Sequence, residues 1–169
     1  MQADITLAVH GMGENENARL NAARALDLGE VAIDSAAVAQ AHNILTVLAR
    51  EQGDIPTATE HLKLSLSIAE CLNDRSAQVA ALNNLSLVRS GADDVEGAIG
   101  LAKNALEMCI ALGDRHREAA LRNNLADFLH AAGRATAAMT QLKQAVAIFA
   151  EIGEDARDMQ AEIWKLVEW

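Results

Sequence analysis

The chain has 169 residues, enough for one ordinary domain with a real core, and at 51% hydrophobic it is not a disordered segment. Its 14 Lys plus Arg against 24 Asp plus Glu give a formal charge of −10, which opposes the phosphate neutralisation that nucleic-acid binding requires and disfavours an anionic membrane surface. Aromatics are only 2% and Pro56 is the single proline, so the core has to be Ala, Leu, Ile and Val carried on helices, with little or no sheet.

From the N-terminus, Met1 to His10 shows no basic segment followed by an apolar stretch and a small-residue cleavage site. No apolar run approaches the roughly 18–20 residues that span a bilayer. A cytoplasmic protein is the expectation. Ala18 to Val31 then reads as the second helix of a partial N-terminal unit, residues 1–33, with Gly13 at the turn and the small Ala18 and Ala25 where backbones approach. Its first helix is either a short one bearing Ile5, Leu7 and Val9, or incomplete.

Three stretches follow that superpose without a gap. Asn43-Ile44-Leu45-Thr46, Asn83-Asn84-Leu85-Ser86 and Asn123-Asn124-Leu125-Ala126 coincide under a shift of 40 residues, as do Lys63/Lys103/Lys143 and Leu72/Leu112/Ile152. A fixed period of this size, written in helix formers, indicates stacked helical hairpins. The repeats are residues 34–73, 74–113 and 114–153. In the first, apolar residues recur at helical spacing over 37–49 and again over 58–72. Between them Gly53 suits a left-handed helix stop, Asp54 a cap and Pro56 a first helical turn. Gly91-Ala92-Asp93-Asp94 and Gly133-Arg134 supply the corresponding turns in the next two repeats, and Asn73-Asp74, Gly113-Asp114 and Gly153-Glu154 join one repeat to the next. Thr46/Ser86/Ala126, Ala58/Ala98/Ala138 and Ser65/Ala105/Ala145 put small side chains where two helices must come close. Residues 154–169 read as a C-terminal cap helix over the last hairpin. Aligning Leu166 with Leu125 takes a shift of about one residue from the 40-residue register, and Trp164 and Trp169 either close the apolar end or present a sticky surface.

This pattern resembles the tetratricopeptide repeat. Leu45/Leu85/Leu125 and the small residue after each fall on that family's first-helix signature, and Ala58/Ala98/Ala138 with Ser65/Ala105/Ala145 on its second-helix small positions. The family's large aromatic positions depart, holding His42, Leu82 and Arg122, then Ala49, Arg89 and Leu129. The longer repeat with Asn-Asn-Leu is similar to the subclass of kinesin light chains and Leu-Gly-Asn-repeat scaffolds, and to the C-terminal sensor arms of bacterial regulators related to the maltose activator. The tail Ile163 to Trp169 has the look of that bacterial group. The resemblance implies an all-α fold, a right-handed superhelix of antiparallel helical hairpins whose first helices line a concave groove.

Carried onto this chain, the groove positions are Asn43, Ile44, Val47 and Arg50, then Asn83, Asn84, Leu87 and Ser90, then Asn123, Asn124, Asp127 and His130. Of these, Asn43, Val47, Asn83, Asn84, Leu87, Asn123, Asn124 and Asp127 form the expected partner-binding set. A carboxamide both donates and accepts, so a row of them can hold the backbone of a peptide or partner helix whatever its side chains. The structural alternative is that the Asn side chains bond a neighbouring helix and hold the stack. The function expected is that of a non-enzymatic scaffold, binding a protein or peptide as part of a bacterial signalling or transcription-regulatory protein. The alternative is a sensor taking a small molecule or signalling peptide in the same channel, and self-association through end helices is a further option.

Other chemistry finds little purchase. His10, His42, His61, His116 and His130 are scattered and pair with no Cys or carboxylate at ligand spacing, so no metal is expected. Gly11-Met12-Gly13 lacks the third glycine of a dinucleotide loop, no nucleophile sits beside a base, and neither catalytic residue nor cofactor is read. Cys71 and Cys109 read as buried thiols, Arg115-His116-Arg117 as a solvated helix start, and Asp93-Asp94 as capping residues.

Overall fold

The structure, a computed structural model, describes Leu20, Ala23 and residues 35–152. Among these it holds six helices and no strand, in agreement with the all-α reading: α1 (Ser35–Glu51), α2 (Ile55–Cys71), α3 (Arg75–Gly91), α4 (Val95–Leu112), α5 (Arg115–Ala131) and α6 (Ala135–Ile152). Odd-numbered helices start at Ser35, Arg75 and Arg115 and even-numbered ones at Ile55, Val95 and Ala135, so the 40-residue period of the sequence is the period of the helices. Leu20 and Ala23 are helical and exposed. The remainder of the helix expected over 18–31, the Gly153-Glu154 stop and the cap helix with Trp164 and Trp169 lie outside the described residues.

One backbone device sets the spacing. Gly53, Asn73, Asp93, Gly113 and Gly133 all adopt left-handed φ, between 53° and 75°. The N–H of each donates to the carbonyl three residues back, on Arg50, Glu70, Ser90, Ile110 and His130 respectively. The following N–H of Asp54, Asp74, Asp94 and Arg134 reaches back to Ala49, Ala69, Arg89 and Leu129, which occupies the helix's last open acceptors. The carboxylates of Asp54, Asp74, Asp94 and Asp114 then accept from the N–H of Thr57, Ala77, Gly97 and Arg117 to start the next helix. In the second repeat the sequence reading needs a correction. Gly91 is still helical and the left-handed residue is Asp93, whose short polar side chain tolerates that conformation, so Asp93 turns the chain and Asp94 caps it.

The chain divides into two compact units at Val88/Arg89, in the last turn of α3. In the first unit α1 and α2 pack as a hairpin. Ala41, Ile44 and Leu48 form one apolar cluster, and Ala49, Ala58, Leu62 and Val88 another, flanked by Ile55 and Leu85. In the second unit α5 packs on α6 and on α4, burying Leu121, Leu125, Phe128, Leu129 and Leu142. All nine small positions are at most 1% exposed. Where they carry hydroxyls, the oxygens are satisfied by backbone: Ser65 Oγ donates across the hairpin to the Ala39 carbonyl at 3.0 Å, and Thr46 Oγ1 to that of His42 at 2.9 Å.

The thiols differ from the sequence expectation in one case. Cys109 is buried, and burial, helped by Asp114, pushes its thiol up from the ordinary value. Cys71 is exposed. It is the last residue of α2, and its repeat position is held by Ala111 and Glu151, both exposed, whereas Cys109 shares its position with buried Ala69.

Candidate partner-binding face

On α1, Asn43 and Val47 stand one turn apart, and on α3 Asn83, Asn84 and Leu87 repeat the arrangement; all five are half-buried. Within this unit the structure brings Asn43 and Asn84 together, the Asn84 Nδ2 donating to the Asn43 Oδ1 at 3.0 Å. Two consecutive first helices are thereby stitched side by side. The bond engages one donor of Asn84 and one acceptor of Asn43, so the pair retains an amino group and a carbonyl oxygen with hydrogen-bonding capacity. Ile44 departs from its expected groove role, being only 8% exposed and packed with Ala41 and Leu48.

In the second unit α5 carries Asn123, Asn124 and Asp127, half-buried, and His130, exposed. These four, like Asn83 of the first unit, already make noncovalent contacts of their own. The larger polar feature here was not legible as a site. Glu118 is 5% exposed and accepts from Arg115 at 2.7 Å and from Arg122 at 2.8 Å, while Arg122 also donates to the side-chain oxygens of Gln141 and Gln144 on α6. Arg115 reaches Glu151 as well, and both acids raise its pKa by hydrogen bonding, with Glu151 the stronger. Arg117 pairs with Asp114 at 3.5 Å. Arg115-His116-Arg117 opens α5 with Arg115 and His116 exposed, as the sequence reading has it, and both arginines are paired with acids.

A second juxtaposition escaped the sequence reading. His42 of α1 and His61 of α2 meet with their Nδ1 atoms 3.0 Å apart. The same two positions in the third repeat are Arg122 and Gln141, which are also bonded, at 2.8 Å, and no sequence spacing joins either pair. Among the described residues, no group of three or more His, Cys, Asp or Glu converges as a metal site would require. A depression of about 350 Å³ is lined by Ala135, Thr136, Met139, Thr140 and Lys143, all from α6, so it is helix surface rather than a chamber between helices. No described helix is long and apolar enough to cross a membrane.

Comparison with known proteins agrees with this architecture. Residues 78–151 match the family model for the tetratricopeptide repeat. The crystal structure of BtubC (BKLC) from P. vanneervenii superposes with a TM-score of 0.74 at 21% identity, over 84% of this chain and 59% of that one, so the chain spans less than two thirds of BtubC. The nearly identical TPR-like repeats of a candidate kinesin light chain from Podosopora anserina superpose with a TM-score of 0.69 at 17% identity, over 89% of this chain and 74% of that one. At such identities the likeness is one of fold. No curated protein matches the sequence.

Proposed function

Because the chain is built of tetratricopeptide repeats, a module that generally mediates protein–protein contact, we propose that it is a scaffold gripping an extended peptide or partner helix along its first-helix face. The observation that carries this reading is the Asn43–Asn84 pair. Full enclosure would leave the remaining donors and acceptors of a pair that shares one bond unsatisfied, so the pair is suited to face water or another polar group. Here both side chains stay half-buried, and each keeps hydrogen-bonding capacity beyond the single bond they share. That capacity matches what a peptide backbone presents, and half-buried Val47 and Leu87 would add apolar contact. The proposed contact set is completed by Asn83, Asn123, Asn124 and Asp127. The groove-lining role of these helices comes from the family resemblance, and the resemblance of the tail Ile163 to Trp169 is what suggests that the chain is part of a bacterial signalling or transcription-regulatory protein.

Peptides selected from a display library on the wild-type chain provide the test, with binding compared in Asn84→Ala/Asn124→Ala. Loss of binding with helicity and melting temperature retained is the expected result. Retained binding would remove the Asn rows from the site, and a collapsed melting transition would assign them to the stack.

A further inference from the structure

Two imidazoles meet across the first hairpin at a separation that requires a proton between them. His42 lies midway along α1 and His61 in the second turn of α2; their ring centroids are 5.1 Å apart and the rings are tilted by 32°. With the Nδ1 atoms 3.0 Å apart, two lone pairs would repel, so one Nδ1 bears hydrogen and donates while the other accepts. Further protons arrive in order. The first lands on the Nε2 of the donating ring and leaves the Nδ1–H···Nδ1 bond in place, but it puts a charge in a partly desolvated site. The second has only the accepting Nδ1 to go to. It abolishes the acceptor and sets two imidazolium cations against each other.

We propose that His42 and His61 form an acid-release clasp: near neutral pH a shared proton holds α1 to α2, and double protonation loosens the hairpin along the helix that bears Asn43.

The surroundings favour the closed form. Desolvation lowers the pKa of both rings, and at His42 the neighbouring His61 adds to the effect. Glu60, adjacent to His61 on α2, acts in the opposite sense and is outweighed. The other charged residues on the helices packed about the pair are Arg50 and Glu51 at the far end of α1, and Lys63 and Glu70 on α2. Within the first unit α3 contributes Arg75 alone, in its first turn. The sign follows from linkage. Above the ordinary value of 6.5 the rings are neutral folded or unfolded, and the clasp's stability is fully present. As pH falls below it, the unfolded chain takes up protons that the folded pair resists, and stability drops until the folded pair titrates too.

The repeats supply an internal control. Positions 42 and 61 recur as Leu82 and Leu101, so this array already carries apolar residues at both places, and His42→Leu/His61→Leu borrows them. On the full chain, imidazole resonances should be followed by NMR from about pH 8 to about pH 5, and melting temperatures compared at the two ends of that range. His42 and His61 are expected to titrate below 6.5 in coupled steps. The double variant should lose less melting temperature on acidification than wild type, and His61→Gln, which retains an acceptor for His42, should remove the second step. Independent titration of both rings at or above 6.5 would overturn the clasp. So would a double variant that keeps the whole acid response. Should the double variant fail to fold, the wild-type titration decides by itself.

Discussion

The α1–α2 and α5–α6 hairpins are the same object drawn twice, 80 residues apart, and they differ in how they fill the same places. Both turn through a left-handed glycine, Gly53 or Gly133, and both bury alanine at the closest approach, Ala58 or Ala138. Where α1–α2 has Thr46 and Ser65, α5–α6 has Ala126 and Ala145, all at most 1% exposed. The hydroxyls find backbone acceptors and the methyls need none, so volume rather than polarity is what the slot selects. At the facing pair of positions the choice is larger: two titratable imidazoles in one hairpin, and a permanently charged guanidinium on a carboxamide in the other. One hairpin is built to respond to protons, and the other is joined by an arginine that Glu118 anchors on its own helix.

The largest effect expected from breaking this contrast lies in the second unit. Arg122→Leu copies Leu82 but strands the Glu118 carboxylate, which would retain only Arg115. Removing one partner of a buried pair costs about 3 kcal/mol, and urea denaturation should show a loss of that order. Adding Glu118→Gln, the residue that Gln78 supplies at the same position of the second repeat, should recover most of it. Failure of that rescue would mean that the arginine stabilises by packing on α6 rather than by charge.

Next in size come the shared features, where the two hairpins should respond alike. Ala58→Leu and Ala138→Leu each force a larger side chain into a fully covered site, and each should lower stability by roughly 1–3 kcal/mol. A marked difference between them in thermal melts would show that one hairpin can open to make room. Ser65→Ala, which imports Ala145, should cost only about 1 kcal/mol through the lost bond to Ala39.

Much of this was readable beforehand because the repeat multiplies each signal. A glycine at a turn is ambiguous alone, but Gly53 and Gly133 at matched positions specify a left-handed stop, whereas Asp93, which takes that role in the second repeat, is masked by the neighbouring Gly91 and reads as a cap. Burial could also be read across repeats. Glu151 at the position of Cys71 marks that site as exposed, a comparison that corrects the expectation of a buried thiol. The facing pairs were hidden for a geometric reason. Residues 42 and 61, like 122 and 141, are separated by a full helical turnaround, so neither the three- or four-residue spacing of a helix nor the repeat period connects them. The Asn43–Asn84 bond lies one residue off the repeat and was visible only as a row of like residues. A buried Glu118 beside two arginines looks, in sequence, like any charged helix start.

The smallest prediction concerns the one turn that departs from its equivalents. Asp54 and Asp94 cap α2 and α4 through the N–H groups of Thr57 and Gly97, while α6 begins after Arg134, whose guanidinium instead pairs with Glu96 at 2.7 Å. That ion pair is exposed on both sides and contributes between about 0 and 1 kcal/mol. A capping aspartate contributes about 1 kcal/mol, and its charge suits the helix N-terminus. Arg134→Asp should therefore leave stability unchanged or raise it by a few tenths of a kcal/mol at low salt. Raising the salt separates the two contributions, since screening weakens the Arg134–Glu96 pair more than a hydrogen-bonded cap. The variant should gain on wild type as salt increases. A loss that grows with salt would mean that Arg134 acts through something other than its charge.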